Sequence, residues 1–221
     1  MDAKDDIAKA EQIIENAIWE SQEREDLDWE LGEYQKAQEI LTALTGLTDD
    51  TEKERKRVLS YCLMRIDEVL VNLDQTEDAI RRAEESLDFA VGSANTVQIA
   101  RSKLALGVRL LNEGRLSDAE FHFGDIIKEG IESDNADMKQ VVGWTLLVRA
   151  NILKGKSLYN QALLVAQDAA GILLGINNYA GLAQVYSLIS KLNYDVGNPD
   201  EAEESMKTSE NFAKMAKEHR Q

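Results

Sequence analysis

Apolar residues along this chain return in steps of three and four, the period of an amphipathic helix and not the alternation of a strand. Leu63, Ile66, Leu70 and Leu73 mark one such stripe, and Ala79, Ala83, Leu87 and Ala90 mark the next. Leu106 and Leu110 are followed by Ala119, Phe123 and Ile127; Trp144, Leu147 and Ala150 by Ala162, Val165, Ala166 and Ala169. Leu182, Tyr186, Ile189 and Leu192 are followed by Ala202, Met206, Phe212 and Met215. The first stretch is less regular, with Ile14, Ala17, Ile18, Leu27 and Leu31 ahead of Ala37, Ile40, Leu41 and Leu44. The stripes come in pairs, a helix A and a helix B, which predicts ten helices in five antiparallel pairs.

A short polar motif separates the two members of each pair. It reads Gly-Glu-Tyr-Gln-Lys-Ala from Gly32, Asp-Gln-Thr-Glu-Asp-Ala from Asp74, Gly-Arg-Leu-Ser-Asp-Ala from Gly114 and Gly-Asn-Pro-Asp-Glu-Ala from Gly197. A looser copy runs from Gly155 to Ala162. The motif alanines at 37, 79, 119, 162 and 202 lie 42, 40, 43 and 40 residues apart. Self-similarity at this period predicts a helical solenoid, a single repeat domain over residues 1–221 with units at about 12–48, 52–93, 96–134, 137–176 and 179–218. The left-handed conformation that ends a helix explains glycine at 32, 114 and 197. Pro199 suits the first turn of a helix, where its missing N–H costs nothing. Two extra residues between Gly155 and Ala162 predict a bulged turn in the fourth unit. The charged segment Asp49–Arg57 reads as the solvated start of a helix or as a joint, and residues 1–9 and 217–221 are expected to fray.

Composition agrees with long helices: one proline and 13 glycines in 221 residues, 43% of them hydrophobic. The formal charge is −16, and residues 1–50 hold 15 acids against 4 bases. That balance argues against nucleic acid and anionic membrane surfaces, which reward clustered Lys and Arg. No apolar run approaches a membrane span and no signal-peptide core follows the acidic N-terminus, which predicts a cytoplasmic protein without membrane insertion. Cys62 stands alone within the apolar run Tyr61–Met64, so a buried, inert thiol is expected.

The chain resembles the tetratricopeptide-repeat family. Leu106, Gly107, Leu110, Gly114, Ala119 and Phe123 carry the likeness best; Gly32, Tyr34 and Ala37, then Trp144, Leu147, Tyr159 and Ala162, then Tyr186, Gly197, Pro199 and Ala202 match in parts. That family's unit is about 34 residues, so the long-helix variants, as in kinesin light chain and in bacterial peptide-sensing and transcription regulators, are the more similar. The resemblance implies an all-α, right-handed superhelical solenoid whose A helices line a concave groove. Carried over by register, the groove residues are Trp19, Asp26 and Trp29; Tyr61, Met64, Glu68 and Asn72; Arg101, Leu104, Val108 and Asn112; Thr145, Arg149 and Ile152; and Gln184, Lys191 and Tyr194. Two readings of Trp19 and Trp29 stay open, peptide anchors or aromatics buried under a terminal repeat.

Candidate chemistry is sparse. His122, His219 and Cys62 have no metal-ligand spacing, and no phosphate loop, nucleophile elbow or zincin motif occurs. The expectation is therefore no enzyme, with no catalytic, cofactor or metal residue, and a scaffold or adaptor that binds a protein or peptide. A ligand- or peptide-sensing module of a bacterial or archaeal regulatory system is one alternative and a homo-oligomeric structural protein another. The amphipathic last helix reads as a cap, which predicts a monomer or small closed homo-oligomer.

Overall fold

The computed structural model describes residues 3–219. Among them it forms ten α-helices and no strand: α1 (Ala3–Arg24), α2 (Leu27–Ala43), α3 (Asp49–Asn72), α4 (Thr76–Ser93), α5 (Thr96–Asn112), α6 (Leu116–Gly130), α7 (Ala136–Gly155), α8 (Tyr159–Gly175), α9 (Tyr179–Asp195) and α10 (Pro199–Glu218). Helix α1 already runs from Ala3 and α10 continues to Glu218, so helix covers residues 3–9 and 217–218 of the segments expected to fray; residues 1, 2, 220 and 221 lie outside the described residues. The architecture is the all-α array of antiparallel helix pairs that the periodicity predicts.

Two compact units divide within α6, Met1–His122 and Phe123–Gln221. In the first, α1 to α5 each pack on the next, and α1 also packs on α3 and α3 on α5. In the second, α7 to α10 do the same, with α7 also against α9. This contact between alternate helices makes the A helices a layer of their own within each unit.

Four of the turns from helix A to helix B share one hydrogen-bond pattern. Gly114 N–H donates to Leu111 O at 3.0 Å and Arg115 N–H to Leu110 O at 2.8 Å. The same two bonds recur at Asp74 and Gln75, at Ser157 and Leu158, and at Gly197 and Asn198. They satisfy carbonyls that the helix end would leave orphaned, and they need a left-handed residue. Asp74, Gly114, Ser157 and Gly197 supply it, with φ of 57, 76, 59 and 87°. Each stands five residues before a motif alanine, and Ala79, Ala119 and Ala162 are fully buried.

This pattern corrects the sequence reading twice. In the fourth unit Ser157, not Gly155, is the turn residue, so nothing is inserted and the turn does not bulge. In the first, the break falls at Glu25 (φ 51°), not at Gly32. Helix α2 starts at Leu27, its N-cap Asp26 accepting from Trp29 N–H at 3.0 Å, and runs straight through Gly32. The place of the motif alanine there belongs to Glu30, which is buried and accepts a 2.8 Å bond from the Tyr34 hydroxyl.

The junctions from helix B to helix A add side-chain caps, and between α8 and α9 the left-handed Asn177 (φ 55°) also repeats the paired backbone bonds. Thr48, Asn95, Asn135 and Asn178 cap α3, α5, α7 and α9 by accepting from the N–H three residues on, the usual role of such residues at N-caps. The segment Asp49–Arg57 is helical, and Arg57 ties it to Glu11 of α1 at 2.7 Å. Where α3, α4 and α5 meet, the hydroxyls of Ser60, Ser86 and Ser102 form a fully buried ring with oxygens 2.8–3.2 Å apart, joined by Gln98 Nε2 at 3.0 Å. At the other end of the chain, Phe212 of α10 packs against Tyr179 and Tyr186 of α9.

Candidate functional site

The left-handed residue after each A helix gives every pair a common origin. Six positions before it stand Trp19, Glu68, Val108, Asn151 and Lys191, and thirteen before it Gln12, Tyr61, Arg101, Trp144 and Gln184. The two rows are seven residues apart, close to two helical turns, so they share one face of helix A.

In the first unit, that face brings Tyr61, Glu68 and Arg101 together with two residues the sequence reading passed over, Glu15 and Arg65. Burial pushes the Tyr61 hydroxyl up, Glu15 and Glu68 add to the rise, and Arg65 and Arg101 oppose it. Arg65 pairs with Glu68. Beside this group, Asp67 of α3 accepts a 2.6 Å bond from Arg109 Nε of α5, with the carboxylate fully buried and the guanidinium 11% exposed. Burial pushes Asp67 up to about 6, against the pull of Arg109, and its Oδ2 has no partner among the described residues. No motif points to this pair, because Asp67 stands between Arg65 and Glu68 and nothing in the sequence sets it apart from them.

Trp19 stands exposed on α1. Asp26 and Trp29 were expected on the same face and do not belong there. Asp26 caps α2, and Trp29 lies on that B helix, half-buried against the core with the Arg24 guanidinium 4.3 Å over its ring. Met64 is buried, while Asn72 and Asn112 are exposed beside their turns.

In the second unit, α7 and α9 leave an open depression of about 380 Å³ between them, lined by Leu147, Asn151, Ala183, Gln184, Ser187, Leu188 and Lys191. The sequence predicts Gln184 and Lys191 on this face but not Asn151 or Leu147. The register carried over from the family names Thr145, Arg149 and Ile152 instead, of which Ile152 stands one residue beyond Asn151 and Arg149 two beyond Leu147. One residue turns a side chain by about 100° around the axis, and the error shows in the packing. Thr145 is buried with its hydroxyl on Val141 O, Ile152 is buried, and Arg149 is half-buried off the depression. Leu104 and Val108 are half-buried on α5. Tyr194 is 73% exposed beside a separate, more apolar recess with Pro199, Glu203 and Met206.

No cluster of metal-ligating side chains occurs among the described residues, and no helix there is long and apolar enough to cross a membrane. Cys62 is buried, its thiol donating to Tyr34 O at 3.2 Å and pushed up to about 12 by burial.

No protein-family model matches the sequence, and no curated protein matches it. Solved structures do. The Rap conjugation gene regulator of plasmid pLS20, in complex with the Phr* peptide, aligns with a TM-score of 0.71 at 17% identity, over 92% of this chain and 53% of that one. Aspartyl phosphate phosphatase F from Bacillus subtilis aligns with a TM-score of 0.67 at 17% identity, over 91% of this chain and 49% of that one. A Podosopora anserina putative kinesin light chain with nearly identical TPR-like repeats aligns at 0.62 and 11% identity, over 97% and 99%. The chain thus spans about half the length of the Rap regulator and of the phosphatase. At these identities the likeness is one of fold. It also corrects the expectation of no enzyme: a protein named as a phosphatase has this fold over most of the chain, so the missing motifs do not exclude catalysis. The chain is a helical-repeat protein of tetratricopeptide-like fold, akin in structure to the repeats of kinesin light chain and to Rap-type regulators.

Proposed function

We propose that this chain is the peptide-sensing module of a regulatory system and that the peptide lies along the A-helix face. The observation that carries this reading is the depression between α7 and α9. It is open, it falls on the helix face that the turn register singles out, and its lining mixes leucines with amides, a hydroxyl and one ammonium group. Apolar walls with a few converging polar groups suit an extended peptide, whose side chains need pockets and whose backbone needs hydrogen-bond partners. The fold of a regulator held in complex with a peptide supports the same reading.

The test is affinity selection. The protein is equilibrated with a randomised hexapeptide library, separated by gel filtration, and the retained peptides are sequenced by mass spectrometry. A restricted set of sequences is expected. Asn151→Ala and Gln184→Ala should each weaken the retained peptides severalfold to tenfold while leaving the helical circular dichroism unchanged. Retention of no peptide by the wild-type chain refutes the proposal. A scaffold for a folded protein partner is the second reading, favoured by the near-complete two-way correspondence with the kinesin-light-chain-like repeats.

A further inference from the structure

We infer that the outer face of α10 is a homodimer interface, in which α10 packs antiparallel against α10 of a second copy of this chain about a two-fold axis. The inference is independent of the peptide-binding reading, since α10 is the B helix of its pair.

The motif alanine of each of these B helices opens a stripe that continues at steps of four, three and four. On α4 the stripe is Ala79, Ala83, Ser86 and Ala90, all fully buried where α4 packs on α3 and α5. On α8 it is Ala162, Ala166, Ala169 and Leu173, again fully buried where α8 packs on α7 and α9. On α10 it is Ala202, Met206, Ser209 and Ala213. Helix α9 covers one side of it, with the Ser209 hydroxyl donating to Ala183 O at 2.7 Å. Met206 nevertheless stands 37% exposed and Ala213 half-buried. Beside them an open recess of about 580 Å³ lies between Tyr194 of α9 and Pro199, Ala202 and Met206 of α10. The stripe that takes a following helix elsewhere in the array is thus open on α10, and a helix is what its shape fits.

The charges beside the stripe name the occupant. Asp200, Glu203, Lys207, Glu210, Lys214 and Lys217 follow one another at steps of three and four, so they form one exposed row along α10. Their signs run negative, negative, positive, negative, positive, positive. Set against its own reverse, the row meets the opposite sign at every place. Antiparallel pairing of two copies sets Asp200 against the partner's Lys217, Glu203 against the partner's Lys214 and Lys207 against the partner's Glu210, and the two-fold forms each pair twice. Flanking charges of this kind fix partner and orientation in paired helices, while the apolar seam supplies the attraction. Little is lost in the exchange, because the pairs that α10 makes within itself, Lys207 with Glu203 and Lys214 with Glu218, are exposed. The corresponding row on α8, from Asn160 to Asn177, holds no charge, and that on α4, from Glu77 to Ala94, holds two acids and no base, so the pattern is not a by-product of the repeat. Residues 1–122 carry 28 acids against 15 bases and residues 123–221 carry 13 against 10, so a contact through α10 joins two copies at their nearly balanced units.

Sedimentation velocity over a dilution series of the full chain tests this, with wild type, Glu203→Lys, Lys214→Glu, Met206→Asp and an equimolar mixture of Glu203→Lys with Lys214→Glu. Wild type should pass from monomer to dimer as concentration rises. Glu203→Lys alone sets lysine against the partner's Lys214 in both halves of the dimer, and Lys214→Glu alone sets glutamate against the partner's Glu203. Each should weaken the dimer at least about tenfold. Mixed, the two variants restore opposite signs at both pairs and should dimerise with each other at close to wild-type strength, a rescue that a loss of folding cannot produce. Met206→Asp should abolish the dimer. Helical circular dichroism should stay unchanged throughout, since all three positions are exposed. A wild-type chain that stays monomeric overturns the inference and leaves the stripe to a helix of another protein. A dimer that both charge variants leave intact, that mixing does not restore, or that survives Met206→Asp overturns it as well, because its contact then lies elsewhere.

Discussion

The segments starting at Gly32 and at Gly114 look like copies of one motif, yet the structure gives the two glycines opposite tasks. The same substitution should therefore move stability in opposite directions. A Cβ added at either position meets nothing within 4 Å, so space does not decide the sign and backbone conformation does. Gly32 is an interior residue of α2; alanine there gains about 0.5–1 kcal/mol by restricting the unfolded chain. Gly114 holds φ at 76°, and alanine in that conformation costs about 1–2 kcal/mol. For a chain of this size 1 kcal/mol corresponds to about 2–4 °C in Tm. Gly32→Ala should then melt roughly 1–4 °C higher than wild type and Gly114→Ala roughly 2–8 °C lower. The fourth pair gives an independent check, because Ser157 holds the left-handed position at φ 59° while Gly155 is helical. Ser157→Gly should stabilise by about 0.5–1 kcal/mol, the relief of the left-handed strain less the entropy glycine adds to the unfolded chain. Thermal melts and urea titrations followed by circular dichroism read all three variants. A shift of the same sign for Gly32→Ala and Gly114→Ala, or destabilisation by Ser157→Gly, would refute the turn register on which the functional face depends.

Three further outcomes follow from packing and charge. Asp67 titrates at about 6 in the folded protein against an ordinary value of 3.8, so between these values the folded state holds the extra proton and stability falls as pH rises; the difference between wild type and Asp67→Asn should change by at most about 3 kcal/mol over that window, and a difference that is flat with pH would show that Asp67 is not desolvated as described. Cys62, buried and pushed up to about 12, should resist a thiol reagent at pH 8 in the native protein and react within minutes in urea; fast native labelling would contradict its burial. Ala119→Arg forces a charge into a fully buried site and should cost several kcal/mol, whereas Asp118→Asn on the exposed first turn of α6 should cost only about 0.3–1 kcal/mol; equal melting temperatures for Ala119→Arg and wild type would remove Ala119 from the core.

Periodicity revealed the ten helices because apolar residues recur at the helical step, and the stripe residues Leu63, Ile66, Ala79, Ala83, Leu182 and Leu192 are indeed core. Turn chemistry was harder to read. A glycine inside a helix costs only about 1 kcal/mol, less than α2 recovers by burying Tyr34, Ala37 and Leu41, so a motif resemblance at Gly32 does not compel a break. The available signal was upstream, in Asp26 followed by Leu27 and by acids at 28 and 30, a helix start with its cap. In the fourth pair the eye goes to Gly155, but the geometry takes Ser157, because the constant of the motif is five residues between the left-handed position and the alanine. The Asp67–Arg109 pair and the ring of Ser60, Ser86 and Ser102 were not legible at all. They join residues 16 to 42 positions apart whose types are common on helix surfaces, and only the stacking of α3, α4 and α5 makes them neighbours.

The turns from helix A to helix B explain why the functional face was harder to find than the fold. Hydrophobic burial tolerates a register error, since a helix in a repeat array has apolar neighbours on more than one side, and a prediction one residue off still lands on core. An open face does not tolerate it. Moving from Asn151 to Ile152 passes from the depression side of α7 to its buried side within one residue. The phase of helix A relative to its partners is set by where the left-handed residue falls, and that position is held by a glycine in only two of the five turns. Asp74 and Ser157 adopt it because the paired hydrogen bonds to the preceding turn offset the conformational cost. The chemistry displayed by the A helices is therefore decided by backbone hydrogen bonding at the turns, which a reading of side-chain types alone locates only to within a residue.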